Sequence, residues 1–308
     1  VLMLSAAAMV LVGVAMEASG TRKMYWFIEG VPSYFFGSFT YKNHAGAFLN
    51  LMVALSLSLF LYYFRNSRER LLPSSPHYFI LMVAALIEVG VVLSDSRGAI
   101  AISSGIWGVF ALLWLVEWLR TRHHSSGRWI GAIFGVLGVS FAAFLITLFN
   151  SEQLKGRLSQ AFEDVIALEA GASPEDLSHS SRQRYFIYQA TWKMAEDRLT
   201  FGWGAGSYRW YFPQYQRHFE RIWEAHFNRR QKVQYYFRVE YAHCDYLQWL
   251  TELGLVGTSL ILLLPATLAS MAVARWRGLR VWPWMLLVGV GALAVHAGFD
   301  FVWHSPFI

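Results

Sequence analysis

Charge is scarce in this chain. Only 15% of its 308 residues are Asp, Glu, Lys or Arg, whereas 56% are hydrophobic. A soluble globular domain usually carries about 25% charged residues, so the balance argues against one. Cysteine is nearly missing too. Cys244 stands alone, which excludes an intrachain disulfide and any Cys-x-x-Cys metal or redox motif. There is no Asp-x-Asp, the short acidic signature of many metal-dependent sugar transferases. Neither a Gly-Lys-Ser/Thr phosphate loop nor a His-Glu-x-x-His zinc motif occurs. Internal repeats and low-complexity tracts are absent as well.

What the chain does have is apolar length and aromatic rings. Aromatics make up 17% of it, with 14 Trp; Trp and Tyr favour bilayer interfaces, where ring and polar edge both find partners. A helix needs roughly 20 residues to cross a hydrocarbon core. Seven stretches meet or approach that length: Val1 to Met16, Ala45 to Phe64, Tyr78 to Leu93, Ala99 to Leu119, Trp129 to Phe149, Gly254 to Val273 and Val281 to about Phe301. Only helices fit, because lipid satisfies no backbone polar group. The expected fold class is therefore all-α: a multi-span membrane bundle with a large, partly helical extracytoplasmic loop. Its parts are about five spans over 1–149, a periplasmic loop domain over 150–253 and about two spans over 254–308. The chain starts inside one apolar run and ends soon after another, so it reads as a fragment with helices missing at each end; with no basic region before Val1, no signal peptide is assigned.

Orientation follows from the short loops. Arg65, Arg68 and Arg70 follow the second span, Arg120, Arg122 and Arg128 the fourth, and Arg275, Arg277 and Arg280 the sixth. If the spans alternate, all three loops share a side, and positive loops stay in the cytoplasm. The net charge of +6 is thus explained by topology rather than by nucleic acid. The opposite side holds the segment Glu17 to His44, the turn Ser94–Gly98, the long segment Asn150 to Leu253, and Asp300. Loops that long are usually functional. Helical patterning runs through it from Arg184 to Arg198 and from Pro213 to Phe227.

Chemistry-bearing residues concentrate on that side. Eight basic residues (Arg198, Arg209, Arg217, Arg221, Arg229, Arg230, Lys232 and Arg238) are opposed by only Glu220 and Glu224, and aromatics from Trp203 to Phe237 are interleaved. Arg binds phosphate through a planar, permanently charged fork, and rings stack on sugars, so the segment suits a lipid-linked phosphosugar. An amphipathic segment resting on anionic lipid fits the composition equally. Arg97, in Asp95-Ser96-Arg97-Gly98, is costly at a membrane edge without a task or a partner such as Asp95. Glu88 lies deep in a span, where pairing with Arg97 is an option; Glu117 lies near a cytoplasmic end. The glycine-rich run Phe201 to Tyr208 reads as a tight turn returning the chain to the membrane. His243, just before the apolar run resumes, suits a general base at neutral pH, though a lone His is more often structural. Cys244 beside it makes a Cys–His nucleophile a remote option. His296, Asp300 and His304 recur every fourth residue, as on one helix face, a spacing that a metal could use.

Several of these pieces, in order, resemble one family. They are Gly37-Ser38-Phe39-Thr40-Tyr41-Lys42-Asn43-His44; Ser96-Arg97-Gly98; Arg184 with Tyr188 and Trp192; the run Leu199 to Tyr208; His243-Cys244-Asp245-Tyr246-Leu247-Gln248-Trp249-Leu250-Thr251-Glu252-Leu253-Gly254-Leu255-Val256-Gly257; and His296 to Phe301 followed by His304-Ser305-Pro306. The sequence from Gly37 onward resembles the O-antigen ligase and O-antigen polymerase superfamily of bacterial envelope proteins. That resemblance implies a metal-independent, inverting glycosyltransferase of the bacterial inner membrane, without cofactor. It would move a glycan from an undecaprenyl-diphosphate carrier to a lipid A-core or other glycan acceptor at the periplasmic face. By the same resemblance His243 is the base, Arg97 and Arg184 bind the diphosphate, and Arg209, Arg217 and Asp300 are candidate supporting residues. The sequence departs from the family at Cys244, where a small polar residue is common, and at Thr200, where Pro is. Polymerase and protein O-glycosylation differ from ligase only in acceptor. A transporter, such as the superfamily members labelled bicarbonate transporters, would place polar groups and broken helices at the midplane, whereas these spans are clean apolar runs. A scaffold role is the remaining alternative.

Overall fold

The computed structural model describes residues 1–31, 35–69, 76–121, 173–223, 238–275 and 281–304, with a few further positions over 156–171 and 225–236. The expected fifth span, Trp129 to Phe149, lies outside the described residues. So do Arg70, Arg122, Arg128, Arg277 and Arg280 of the basic loops, together with Arg229, Arg230, Lys232, Phe237, Ser305 and Pro306.

Eight α-helices are described. They are α1 (Leu2–Ala18), α2 (Lys42–Glu69), α3 (His77–Leu93), α4 (Arg97–Thr121), α5 (His179–Asp197), α6 (Tyr208–Gln216), α7 (Asp245–Arg275) and α8 (Trp282–Ala297). The protein is a helical membrane protein. Within α2, α4 and α7, residues Lys42–Asn66, Arg97–Val116 and Asp245–Met271 are long and apolar enough to cross a bilayer; α1, α3 and α8 are shorter apolar helices. The described residues depart from all-α in a short antiparallel ribbon, β1 (Ala225–Asn228) against β2 (Val233–Tyr236), and in two isolated bridges, Met24 with Ile28 and Phe36 with Phe39.

The chain divides into two compact units. The first holds α1 to α4 and α8. Its helices approach closely through small residues, the means by which helices pack where no hydrophobic drive separates them from lipid. A Cβ on Gly90 of α3 would lie 2.3 Å from Val10 of α1, and one on Gly46 of α2 would lie 2.4 Å from Ala99 of α4. Asn50, buried in α2, donates to the Ala99 carbonyl at 2.9 Å. Of the options for Glu88, the structure shows hydrogen bonds rather than a pair with Arg97: its carboxylate accepts from Ser103 (2.5 Å) and the Trp107 indole (2.9 Å) of α4. Such hydrogen bonds answer the cost of an acid at that depth.

The second unit holds α5, α6, the ribbon, α7 and the segment after Ala297. Helix α5 starts at His179, earlier than the pattern from Arg184 predicts. Asp164 holds that start, accepting from the Ser178 N–H at 2.8 Å and from the hydroxyls of Ser178 and Ser181. The helix expected over Pro213 to Phe227 is instead α6, which ends at Gln216. Beyond it the buried Gln216 side chain bonds the Ile222 carbonyl (2.7 Å) and the Val239 N–H (3.3 Å), pinning a turn, and residues 225–228 go into the ribbon. The core under α5 and α6 is Ile187, Met194, Tyr208, Phe212, Ile222 and Val239.

Helix α7 is broken at Gly254, whose φ of 67° and ψ of −173° are a combination essentially confined to glycine. The glycine-rich run closes the break rather than simply turning the chain. Trp203 and Gly204 N–H donate to the Thr251 and Glu252 carbonyls, and the Leu255 and Val256 N–H donate to the Leu199 and Thr200 carbonyls, at 2.8 to 3.2 Å. Groups that a helix end leaves without partners are thus satisfied on both sides of the break. The approach is so close that a Cβ on Gly202 or Gly254 would lie 2.4 Å from the opposing backbone. The buried Glu252 carboxylate also accepts the Gly206 N–H at 2.7 Å and the Tyr208 N–H at 3.3 Å.

Candidate active site

The first turns of α7 carry polar residues on one face. Asp245, Gln248 and Glu252 fall at i, i+3 and i+7, and all are buried. Asp245 also places a negative charge at the helix start, where the dipole favours it. Its carboxylate accepts the Trp303 N–H at 2.9 Å and meets His304 Nδ1 at 2.6 Å, while its own N–H donates to the Asp300 carbonyl at 3.2 Å. Three contacts therefore tie the segment after α8 to the start of α7. Gln248 fixes the ring state of His304. Its Oε1 accepts the Ala242 N–H (3.0 Å), so its amide nitrogen donates to Glu252 Oε1 and to His304 Nε2, both at 3.1 Å. A ring nitrogen that accepts carries no proton, which leaves Nδ1 as the nitrogen that donates to Asp245.

This clamp sets Asp300 against His243. Asp300 is fully buried, and its Oδ1 lies 3.5 Å from His243 Nδ1. Phe301 presents its ring to the imidazole at 5.0 Å between centroids and stacks on Tyr241 at 4.4 Å. The His243 side chain is 28% exposed, yet its Nδ1 is covered. Nδ1 is therefore the ring nitrogen turned inward, toward Asp300. His243 has φ 55°, in the left-handed region, and its carbonyl accepts the Tyr188 hydroxyl at 2.7 Å. Burial pushes the Tyr188 phenol up to about 12, against a smaller lowering by Arg184, one turn earlier on α5. Tyr188 is thus a hydrogen donor at any ordinary pH.

Three of the expected site residues, His243, Arg184 and Asp300, gather around Tyr188. Arg97 opens α4 in the other unit, where Lys42 pairs with Asp95 at 3.1 Å. Arg209 is exposed, with its guanidinium over Trp210 at 5.4 Å. Arg217 lines an open cleft of about 480 Å³ with Lys193, and Glu196 and Asp197 oppose them there. That balance suits a diphosphate poorly. Burial pushes the Cys244 thiol up, which disfavours the thiolate that a Cys–His nucleophile needs. His296, Asp300 and His304 do not share a helix face, because α8 ends at Ala297. No group of three metal-ligating side chains occurs among the described residues.

Sequence reasoning missed Tyr188, Gln248 and Glu252 as parts of the site, and it read His304 only as a metal candidate. The polar spacing at 245, 248 and 252 was the available signal for the clamp.

The chain thus combines helices fit to cross a membrane with a histidine that faces a buried carboxylate. Residues 78–262, more than half of the chain, match the family model Wzy_C, described as O-antigen ligase. The chain belongs to that family. It is accordingly a bacterial membrane enzyme that processes glycans in the manner of the ligases and polymerases. No curated protein and no solved structure is matched by the chain.

Proposed function

We propose that this chain is an O-antigen ligase-type glycosyltransferase of the inner membrane. It moves a glycan from an undecaprenyl-diphosphate carrier to an acceptor hydroxyl at the periplasmic face, where the loop domain over 150–253 lies. His243 Nε2 removes the hydroxyl proton as the oxygen attacks the anomeric carbon. The bond from that carbon to the diphosphate oxygen breaks, its electron pair leaves with the diphosphate, and the sugar inverts. Arg184 and Arg97 neutralise the departing charge, which takes the place of a metal ion. Asp300 orients the ring through Nδ1 and steadies the imidazolium that forms. Arg209 is assigned a supporting role toward the carrier, and Arg217, whose cleft also holds Glu196 and Asp197, a supporting role away from the diphosphate. The observation that carries this reading is His243 facing a buried Asp300, with Arg184 a single turn from the tyrosine that holds the histidine.

The test is transfer in detergent from an undecaprenyl-diphosphate glycan, with EDTA present. Product on added lipid A-core marks a metal-independent ligase. Lengthened carrier-linked chains without added acceptor mark a polymerase. His243→Ala is expected to abolish transfer while the donor still binds; transfer that persists in this variant removes the general-base assignment. A strict divalent-metal requirement removes the account built on arginines.

A further inference from the structure

We propose that Tyr188 is a positioning residue for His243: its hydroxyl, bonded to the His243 carbonyl, holds that residue in the left-handed backbone conformation that turns Nδ1 to Asp300 and leaves Nε2 for the acceptor. The inference rests on the general-base reading of His243 and names what keeps that base in place.

Left-handed backbone is costly for a residue other than glycine and persists where surroundings over-determine it. Around His243 they do. The Ala242 N–H is fixed to Gln248 Oε1 at 3.0 Å, the His243 carbonyl to Tyr188 at 2.7 Å, and the Asp245 N–H to the Asp300 carbonyl at 3.2 Å. Two of these anchors come from the clamp itself. The bond from Tyr188 is the one that reaches across from α5, 55 positions away in the chain. Tyr188 is itself packed against the core beneath α5 and α6, so the hydroxyl is delivered by a supported ring rather than a loose side chain. Arg184 sits one turn away on the same helix, so a single helical face serves the donor through Arg184 and the base through Tyr188. The alternative, that Tyr188 serves donor binding by way of Arg184, gives a different kinetic signature.

The experiment is Tyr188→Phe in the whole protein, assayed by transfer kinetics with the undecaprenyl-diphosphate glycan varied and acceptor saturating. We expect kcat to fall about tenfold, which is about 1.4 kcal/mol, with KM for the donor unchanged. Replacement by 4-aminophenylalanine, which restores a donor at the same place, is expected to return kcat to within about threefold of the parent, consistent with one neutral hydrogen bond. A raised KM with kcat intact assigns the hydroxyl to Arg184 and overturns the proposal; so does a Phe variant with parental kinetics. If Tyr188→Phe fails to fold, the amino variant decides: a folded protein that stays slow overturns the role. His243→Ala in the same assay separates the two readings, since activity there sinks the base assignment whatever Tyr188 does.

Discussion

A histidine beside a buried carboxylate is governed by how its ring is held and by which nitrogen is left to work. Here Nδ1 faces Asp300 at 3.5 Å, longer than a normal hydrogen bond, and such contacts tighten when substrate binds. Asp300→Asn keeps the volume but removes the charge that stabilises an imidazolium. On the proposed function it is expected to lower kcat by roughly 100-fold, within the range general-base catalysis contributes, with little change in donor KM; steady-state transfer kinetics will show it. His243, Asp300 and Arg184 could be singled out in the sequence because their order resembles a known family, and the structure places all three near Tyr188. Tyr188 and His304 were not legible in their roles. Their partners lie 55 and 59 positions away, and no local pattern encodes a bond made across a fold.

Where the run between α5 and α6 meets α7, the relevant unit is an element rather than a residue. The glycine-rich run and the break in α7 are two halves of one joint, and the glycines are needed for two separable reasons. At Gly254 the backbone conformation is forbidden to side chains and the space is also filled, with Thr200 backbone 2.4 Å from any Cβ. At Gly204, φ is +103° but the space is open. Gly254→Ala is therefore expected to cost roughly 3 kcal/mol or to prevent folding, and Gly204→Ala roughly 1 kcal/mol. Thermal melts of the two variants in detergent measure the difference; equal losses would refute the close-approach argument. The apolar helices were readable because composition alone requires them. The turn after Gln216 was not, because a buried glutamine bridging two distant backbone groups overrides the helical pattern that runs on to Phe227.

For the molecule as a whole, the bilayer supplies what the interior cannot. Helix α7 leaves Leu255, Leu260, Leu263 and Leu264 exposed, a face that only lipid or other apolar helices would cover, whereas its first turns are buried and polar. The expected membrane boundary on this helix falls near residue 254, where the composition changes. That change, and with it the sixth span, could be read directly from the sequence. The break at the same position could not be read, because a single glycine inside a helical pattern is ordinarily tolerated.

The bonds on both sides of that break have a mechanical meaning. A helix interrupted at one glycine is free to flex there, but this one is splinted, so its apolar and polar parts move as one body. The run from Asp245 to Gly254 then serves as a ruler of at most about 14 Å, at 1.5 Å per residue, with its zero mark at the hydrocarbon edge and the imidazole at its far end. On the proposed function, a carrier lipid fixes its own diphosphate at headgroup depth, so enzyme and substrate would take their heights from the same surface. Reconstitution into bilayers of graded acyl-chain length, with the carrier unchanged, is expected to give a rate with a maximum at one thickness, because mismatch tilts the span and swings the ruler's end away from the phosphates.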